Sequence, residues 1–298
     1  CQANQQCGKH IITSAVEHPA VLEVCRALQR EGFELTILPV DDCGTVQPTA
    51  LQDALRTDTL LVSVMHANNE VGTIQPIREL AELAHTHGAV FHCDAAQSLG
   101  KIKVDVEELG VDLLSVAGHK VYAPKGVGCL YVRAGIKLQN LMYGAGHEGG
   151  QRPGTENVLE IVGLGKACEI AAQDLLANQQ HFQAMRDSLQ AGLLRELGDE
   201  NVQCNGNIHA RLPNTLSVSF RGLEANRLLL AIGAEVAASA GAACHADGVS
   251  VSTVLQAMHI PVEWAMGTLR FSTGRATSAQ EIEHAVKVVC SAVRNLQP

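Results

Sequence analysis

The sequence contains no apolar run long enough to span a membrane, which favours a soluble protein. Its formal net charge of −9 comes without a basic stripe, so nucleic acid is not an expected partner. None of the ten cysteines forms a C-x-x-C pair, and the chain is not a small disulfide scaffold, so we expect reduced thiols in a cytoplasmic compartment. Internal repeats, low-complexity tracts and a signal-peptide pattern are missing too.

The chain has 298 residues, of which 46% are hydrophobic and 18% charged. This composition is typical of a folded protein with a large domain and a smaller one. The first residue is Cys1 rather than Met. We therefore expect the sequence to be a fragment, with its true beginning and any targeting signal upstream.

Strand-like and helix-like runs alternate along the first half of the chain. Examples of the strand-like runs are HIITS, TLLVSVMHA, AVFHCDAA and VDLLSVAG, and examples of the helix-like runs are PAVLEVCRALQREG and IRELAELAHTHG. This alternation predicts an α/β domain over residues 1–172 with a mostly parallel sheet. A helical stretch over roughly 156–197 overlaps the boundary, and residues 173–298 are predicted to form a small α+β domain.

Polar residues follow the predicted strands, at the edge where parallel sheets bind ligands. A lysine, an aspartate and a histidine among them (Lys120, Asp94 and His18) suit a pyridoxal phosphate site. The lysine would hold the cofactor covalently, which needs an amine whose pKa is lowered by burial. A plain surface lysine at the start of a loop is the alternative.

The other two side chains would act on the cofactor ring. Asp94 would pair with the pyridine nitrogen, and His18 would lie flat on the ring. Asn69 or Gln97 would hydrogen-bond the phenolic oxygen. Asp94 as a helix N-cap and His18 as an ordinary residue at a helix start are the alternatives.

Cys244 lies in ASAGAACHAD, a run of small residues. Small side chains favour a mobile segment and an accessible thiol, as a nucleophile needs. A buried structural cysteine is the alternative.

The segment HTHGAVFHCD superficially resembles a metal-binding motif. However, His85 and His87 end a predicted helix, whereas His92 and Cys93 alternate along a strand and point to opposite faces. We therefore expect no metal site. The runs GLGKA and GAGHEGG match nucleotide-binding loops only loosely.

Seven motifs together resemble a cysteine desulfurase of the aminotransferase class V group, and selenocysteine lyase shares their layout. They are TSAVEHPAVL, MHANNEVG, FHCDAAQSLGK, GHKVYAPKGVG, HEGGQRPGTEN, SAGAAC and LRFSTGR. The resemblance implies a homodimeric pyridoxal phosphate enzyme of fold type I, with a seven-stranded type of sheet. It also implies L-cysteine or L-selenocysteine as substrate and a sulfur acceptor or scaffold protein as a possible partner.

The resemblance assigns a role to each matching position. Lys120 matches the lysine that binds the cofactor and removes the substrate's α-proton, and Cys244 matches the cysteine that takes the sulfur as a persulfide. The remaining matches are Asp94 for the pyridine nitrogen, His18 for ring stacking, Asn69 and Gln97 for the phenolic oxygen, His119 for the phosphate, Thr155 for the neighbouring subunit's phosphate and Arg270 for the substrate carboxylate.

The sequence departs from the family pattern at two places. Ala117 replaces a serine that hydrogen-bonds the phosphate. The family's Gly-Thr-Glu phosphate loop lies upstream of the HIITS strand, so the N-terminal part of the fold is expected to be missing. These departures also motivate an alternative function, a catalytically impaired dimer partner that keeps the fold.

Overall fold

The computed structural model describes residues 1–4, 8–245 and 248–297, with the side chains of all of these except residues 4, 242–245 and 248–250. The chain forms two compact units. The first comprises Cys1–Leu38, Val46–His66 and Gln75–Leu175. The second comprises Pro39–Thr45, Ala67–Ile74 and the chain from Leu176 onward. Two short stretches from the first quarter of the chain thus belong to the second unit.

The first unit contains a six-stranded sheet with strand order β2-β1-β3-β4-β5-β6. Its strands are β1 (His10–Ser14), β2 (Glu34–Leu38), β3 (Thr59–Ser63), β4 (Val90–Asp94), β5 (Leu113–Ala117) and β6 (Gly128–Val132). Strands β1 to β5 are parallel and β6 is antiparallel. This confirms the predicted α/β class and mostly parallel sheet, with six strands among the described residues where the resemblance implies a seven-stranded type.

Helices connect the parallel strands, as crossovers between parallel strands require. They are α1 (Pro19–Arg30), α2 (Pro48–Ala54), α3 (Ile77–Thr86) and α4 (Val106–Leu109), and a further helix, α5 (Val158–Gln173), follows β6. Local signals explain α1: Pro19 occupies the first turn, and Gly32 follows the helix with a φ of 96°. In α3 the apolar face is buried through Ile77, Leu80 and Ala84.

The second unit is α+β. Its elements are α6 (Leu175–Leu197), β7 (Val202–Asn205), β8 (Thr215–Phe220), α7 (Ala225–Ile232), β9 (Ser239–Ala240), β10 (Ala242–His245), β11 (Gly248–Val251), α8 (Thr253–Ala257), α9 (Val262–Ala265), β12 (Thr268–Ser272) and α10 (Ala279–Leu296). Strands β7-β8-β12-β9 form an antiparallel sheet, and β10 pairs with β11 as a separate hairpin. Leu193, Phe220, Leu228 and Val289 are buried in one core cluster that joins this sheet to α6, α7 and α10.

The helical stretch predicted over 156–197 consists of two helices. Helix α5 ends at Gln173, α6 begins at Leu175, and the first unit ends at the same place. No described helix is long and apolar enough to cross a membrane.

Candidate active site

The carboxyl ends of the parallel strands in the first unit carry the predicted cofactor-binding residues. His18 follows β1, Asp94 ends β4, and Lys120 follows β5. Only β3 lies between β1 and β4, and β5 is next to β4. With strands about 5 Å apart, β1 and β5 are about 15 Å from each other. The topology therefore brings these three positions to one sheet edge.

Asp94 is half-buried and tied to the strand on each side of it. Its backbone oxygen accepts a hydrogen bond from His66 N at 2.8 Å, and its residue partner on β5 is Ser115. Its Oδ1 accepts from Ala96 N at 2.9 Å, so the side chain caps a turn rather than a regular helix. Within the described part of the chain, its Oδ2 has no hydrogen-bond partner. One carboxylate oxygen is thus left for an N–H donor such as a pyridine nitrogen.

His18 caps helix α1. Its Nδ1 accepts a hydrogen bond from Ala20 N at 3.1 Å, and the side chain is exposed. The alternative of a residue at a helix start is therefore correct as a description of its local structure. The cap holds the imidazole at the start of the helix. The ring itself stays exposed and is free to stack on an aromatic ligand.

Lys120 lies on a 3-10 turn, Gly118–Val121, directly after β5. Its side chain and that of His119 are exposed, so the expected burial of the lysine is not found. The physical reason is that β5 ends at Ala117 and the turn carries the next residues beyond the sheet edge. A Cβ atom on Gly118 would lie 2.7 Å from the backbone oxygen of Val127, so only glycine fits this turn.

Glu17, which no sequence pattern marks as functional, is buried in the first unit beside this edge. Its Oε1 accepts hydrogen bonds from Ser14 Oγ at 2.7 Å and Met65 N at 2.8 Å, which joins the turn after β1 to the end of β3. Burial raises the pKa of Glu17 to about 8, the bonds from Met65 and Ser14 oppose the rise, and the charge of Asp94 adds to it. At neutral pH Glu17 is protonated and places no second negative charge near Asp94.

His66, three residues after β3, is a second buried titratable group. Burial lowers its pKa to about 4, so it is neutral at pH 7. Its Nδ1 and the Oε2 of Glu17 are both buried without a hydrogen-bond partner among the described residues. Unsatisfied buried polar atoms are rare in folded proteins, and functional sites are one of the places where they occur.

Two other predicted residues of the first unit are positioned differently. The Gln97 side chain accepts a hydrogen bond from Lys101 Nζ at 2.8 Å, and Gln97 O accepts from the same nitrogen at 2.9 Å. Thr155 is exposed in the segment between a 3-10 turn (Glu148–Gly150) and α5. Their roles toward the phenolic oxygen and the phosphate stay predictions.

In the second unit the structure brings together two predicted residues, Arg270 and Asn69. Arg270 Nη1 donates to Asn69 O at 2.7 Å, and Nη2 donates to Ser239 Oγ at 3.0 Å. Asn69 therefore contributes its carbonyl here rather than its side-chain amide. Arg270 Nε is buried and has no partner among the described residues. Nη1 and Nη2 each carry a second N–H, so the guanidinium retains donors for a substrate carboxylate.

Cys244 lies on β10, where its backbone pairs with Val249 of β11. Its side chain is outside the described residues, so both its predicted accessibility and the buried alternative stay untested.

The histidines of HTHGAVFHCD have separate partners. His85 Nε2 is 2.8 Å from Asp112 Oδ2, and His92 hydrogen-bonds Ser63 Oγ and Ser115 Oγ on either side. The part of the chain that the structure describes contains no group of three or more His, Cys, Asp or Glu side chains suited to a metal ion.

A comparison with protein families identifies the family of the chain that carries this edge. The model of the aminotransferase class-V family matches residues 1–284. The chain belongs to this family. Among curated relatives, this class-V chain is 44% identical to the cysteine desulfurase IscS of Shewanella denitrificans, over 97% of the chain and 71% of the relative. It is 45% identical to the cysteine desulfurase IscS of Dictyoglomus turgidum, over 97% of the chain and 73% of the relative.

Solved structures agree with this class-V assignment. A NifS-like protein superposes with a TM-score of 0.91 and 34% identity, covering 99% of this chain and 78% of that one. DndA from Streptomyces lividans has a TM-score of 0.76 and 36% identity, covering 91% of this chain and 76% of that one. The resemblance identified from the motifs is therefore confirmed.

The cofactor of a class-V chain of this kind is pyridoxal phosphate, and the residues of the first unit fit it. Asp94 has a free carboxylate oxygen for the pyridine nitrogen, and His18 presents an exposed ring held by its cap. Lys120 presents an exposed amine for covalent attachment. These three residues therefore supply an acceptor, a stacking ring and an amine that fit the ring of the cofactor.

Proposed function

We propose that this chain removes sulfur from L-cysteine, producing L-alanine and a persulfide on Cys244. The observation that carries the proposal is the alignment of His18, Asp94 and Lys120 along one sheet edge of the first unit. Family membership and the curated relatives named cysteine desulfurase support it.

Three residues of the first unit would hold the ring of the cofactor. Lys120 Nζ would attach it, the second carboxylate oxygen of Asp94 would accept from the pyridine nitrogen, and the exposed imidazole of His18 would stack on the ring. When bound, pyridoxal phosphate supplies an electron sink for the α-carbon of the substrate. Asn69 and Gln97 are assigned to the phenolic oxygen, and His119 and Thr155 to the phosphate.

The chain's own residues then bind substrate and move protons. Arg270 binds the carboxylate through its guanidinium, whose fork suits two oxygens. Lys120 Nζ removes the α-proton. The Cys244 thiolate forms a bond to the substrate sulfur as the bond from sulfur to the β-carbon breaks, and the β-carbon keeps that electron pair and takes a proton. The net reaction converts L-cysteine and one enzyme thiol into L-alanine and one enzyme persulfide.

The chain acts as a homodimer in the cytoplasm in this proposal. Helix α5 has large exposed apolar side chains, including Leu159 at 83% and Val162 at 64%, and Leu141 before it is 84% exposed. Apolar surface of this kind is typical of an interface, and it flanks Thr155 in the sequence. A second copy covers it, and a sulfur-acceptor protein of iron–sulfur cluster synthesis takes the persulfide sulfur.

The test supplies pyridoxal phosphate and L-cysteine to the chain and measures visible absorbance, L-alanine and added sulfur on the Cys244 peptide. Lys120→Ala should lose the visible band, whereas Lys125→Ala, a control at an exposed lysine of the same loop, should keep it. Cys244→Ala should lose persulfide, whereas Cys43→Ala, which removes an exposed thiol, should keep it.

Other outcomes would favour the alternative functions. Selenium release from L-selenocysteine that survives Cys244→Ala would favour a selenocysteine lyase, to which GAACHAD has some likeness. No visible band in the unmodified chain after addition of the cofactor would favour a catalytically impaired dimer partner.

A further inference from the structure

The two ends of the hairpin β10–β11 meet at one residue of the second unit. Before the hairpin, Gly241 N donates to Thr268 O at 2.8 Å, beside the pairing of β9 with β12. After the hairpin, Ser252 N donates to Gly241 O at 3.0 Å. A Cβ atom on Gly241 would lie 2.9 Å from the Thr268 side chain, so this close approach requires glycine. The backbone therefore fixes both ends of the hairpin at the same point.

Side-chain hydrogen bonds also link each end of the hairpin to one loop, which contains Asn69 and Glu70. On the entry side, the Ser239 hydroxyl accepts a hydrogen bond from Arg270 Nη2 at 3.0 Å, and Arg270 Nη1 donates to Asn69 O at 2.7 Å. On the exit side, Ser252 Oγ donates to Glu70 Oε2 at 2.5 Å. Because Asn69 and Glu70 are adjacent, these bonds form a closed ring through both hairpin ends and the loop.

The loop that receives both ends is itself constrained. The Asn68 side-chain oxygen accepts hydrogen bonds from Glu70 N at 2.8 Å and Val71 N at 2.9 Å. Gly72 N donates to Asn68 O at 3.1 Å, and Leu212 N donates to Gly72 O at 2.8 Å. The loop is therefore anchored to the rest of the second unit and is suited to hold the hairpin in place.

We propose that Ser239, Glu70 and Ser252 are positioning residues that set the placement of the Cys244 hairpin relative to Arg270. The assignment rests on the proposed function for the role of Cys244 and Arg270. Sulfur transfer requires the thiol to meet the sulfur of a substrate whose carboxylate is bound by Arg270, and small misplacements are costly in such a step. A ring that includes Arg270 itself links the two groups through few bonds.

A purely structural role for Ser252 is the competing explanation, because its hydroxyl also accepts from Val254 N at 3.1 Å and caps α8. The chain offers a matched control in Ser278, which caps α10 in the same unit and donates to Glu281 Oε2 at 2.9 Å. Glu70→Ala removes the hydrogen bond between Ser252 Oγ and the loop, and it leaves the cap that Ser252 forms on α8 intact. Ser252→Thr keeps the hydroxyl and serves as the conservative variant.

The experiment measures two quantities for the holoenzyme and for Glu70→Ala, Ser252→Thr and Ser278→Ala. The first is the alkylation rate of Cys244 by iodoacetamide relative to that of Cys43, an exposed thiol of the same unit, determined by peptide mass spectrometry. The second is kcat and KM for L-alanine formation. For Glu70→Ala we expect a relative alkylation rate about three-fold higher and a kcat about ten-fold lower, with KM within about two-fold.

Ser252→Thr and Ser278→Ala should resemble the unmodified chain in both measurements. The proposal is overturned if Glu70→Ala matches Ser278→Ala in relative alkylation rate and in kcat. If the unmodified chain forms no L-alanine, the proposed function fails, and the alkylation comparison still decides whether Glu70 positions the hairpin.

Discussion

Replacing Glu17 with glutamine should change how the stability of the first unit depends on pH. Burial raises the pKa of this carboxyl from 4.5 to about 8 in the folded chain. Between these two values the unfolded chain ionises Glu17 while the folded chain keeps it protonated. Folding therefore becomes less favourable as pH rises through this window, and the stability present below pH 4.5 is progressively lost.

The magnitude follows from the size of the shift. Each pH unit between the two pKa values costs about 1.4 kcal/mol, or about 3 kcal/mol between pH 5 and pH 7. Glutamine has nearly the same shape and keeps an oxygen to accept from Ser14 and Met65, but it does not titrate. Any constant cost of its buried NH₂ group is the same at every pH. Glu17→Gln should therefore gain about 3 kcal/mol relative to the unmodified chain over this range.

Amide hydrogen exchange in β1 and β3 is the assay, because the Glu17 side chain bonds to residues beside both strands. Protection free energies are compared between pH 5 and pH 7. Asp105→Asn is the control, because hydrogen bonds from Glu108 N and Glu107 N lower the pKa of Asp105 from its usual value and so away from the window. Parallel pH dependence in Glu17→Gln and the unmodified chain would refute the assignment of a protonated buried carboxyl.

Three further predictions concern other parts of the two units. His66→Gln should reduce the loss of unfolding free energy at acid pH by about 2 kcal/mol between pH 6.5 and pH 5, as measured by urea unfolding. The reason is that burial lowers the pKa of His66, so the folded state resists protonation. The same fall in unfolding free energy in the variant and the unmodified chain would contradict this. Arg270→Lys should raise KM for L-cysteine about ten- to hundred-fold with a smaller effect on kcat, since a single ammonium replaces the guanidinium fork; an unchanged KM would argue against carboxylate binding. Gly118→Ala should destabilise the chain by about 1–3 kcal/mol because its Cβ would contact Val127 O at 2.7 Å, whereas Gly146→Ala, with nothing within 4 Å, should be neutral; equal thermal midpoints for the two variants would disprove the steric argument.

Several elements were predictable from short segments. The strands β1, β4 and β5 and the helices α1 and α3 match the alternation of the sequence, because strand and helix periodicities are expressed within about ten residues. The placement of Asp94 and Lys120 at strand ends followed from the same pattern. The motifs were enough to recognise the class-V family, which the comparisons confirm.

Other features could not be predicted from local patterns. The exposure of Lys120 depends on where β5 ends and on the Gly118–Val127 contact that closes the turn. The division of the helical stretch at Asp174 coincides with the end of the first unit, which is defined by contacts distant in sequence. Glu17 sits between Val16 and His18 with no pattern to mark it as buried.

By itself the sequence determined the order of strands and helices, the residue types at the strand ends and the family. Those properties are local, since backbone sterics and side-chain periodicity act between near neighbours. Only the tertiary structure decided that Glu17 is protonated and that Arg270 binds the Asn69 carbonyl. The partners involved are far apart along the chain, separated by 48 positions for Glu17 and Met65 and by 201 for Asn69 and Arg270. Burial and pKa depend on such distant atoms, and folding alone brings them into contact.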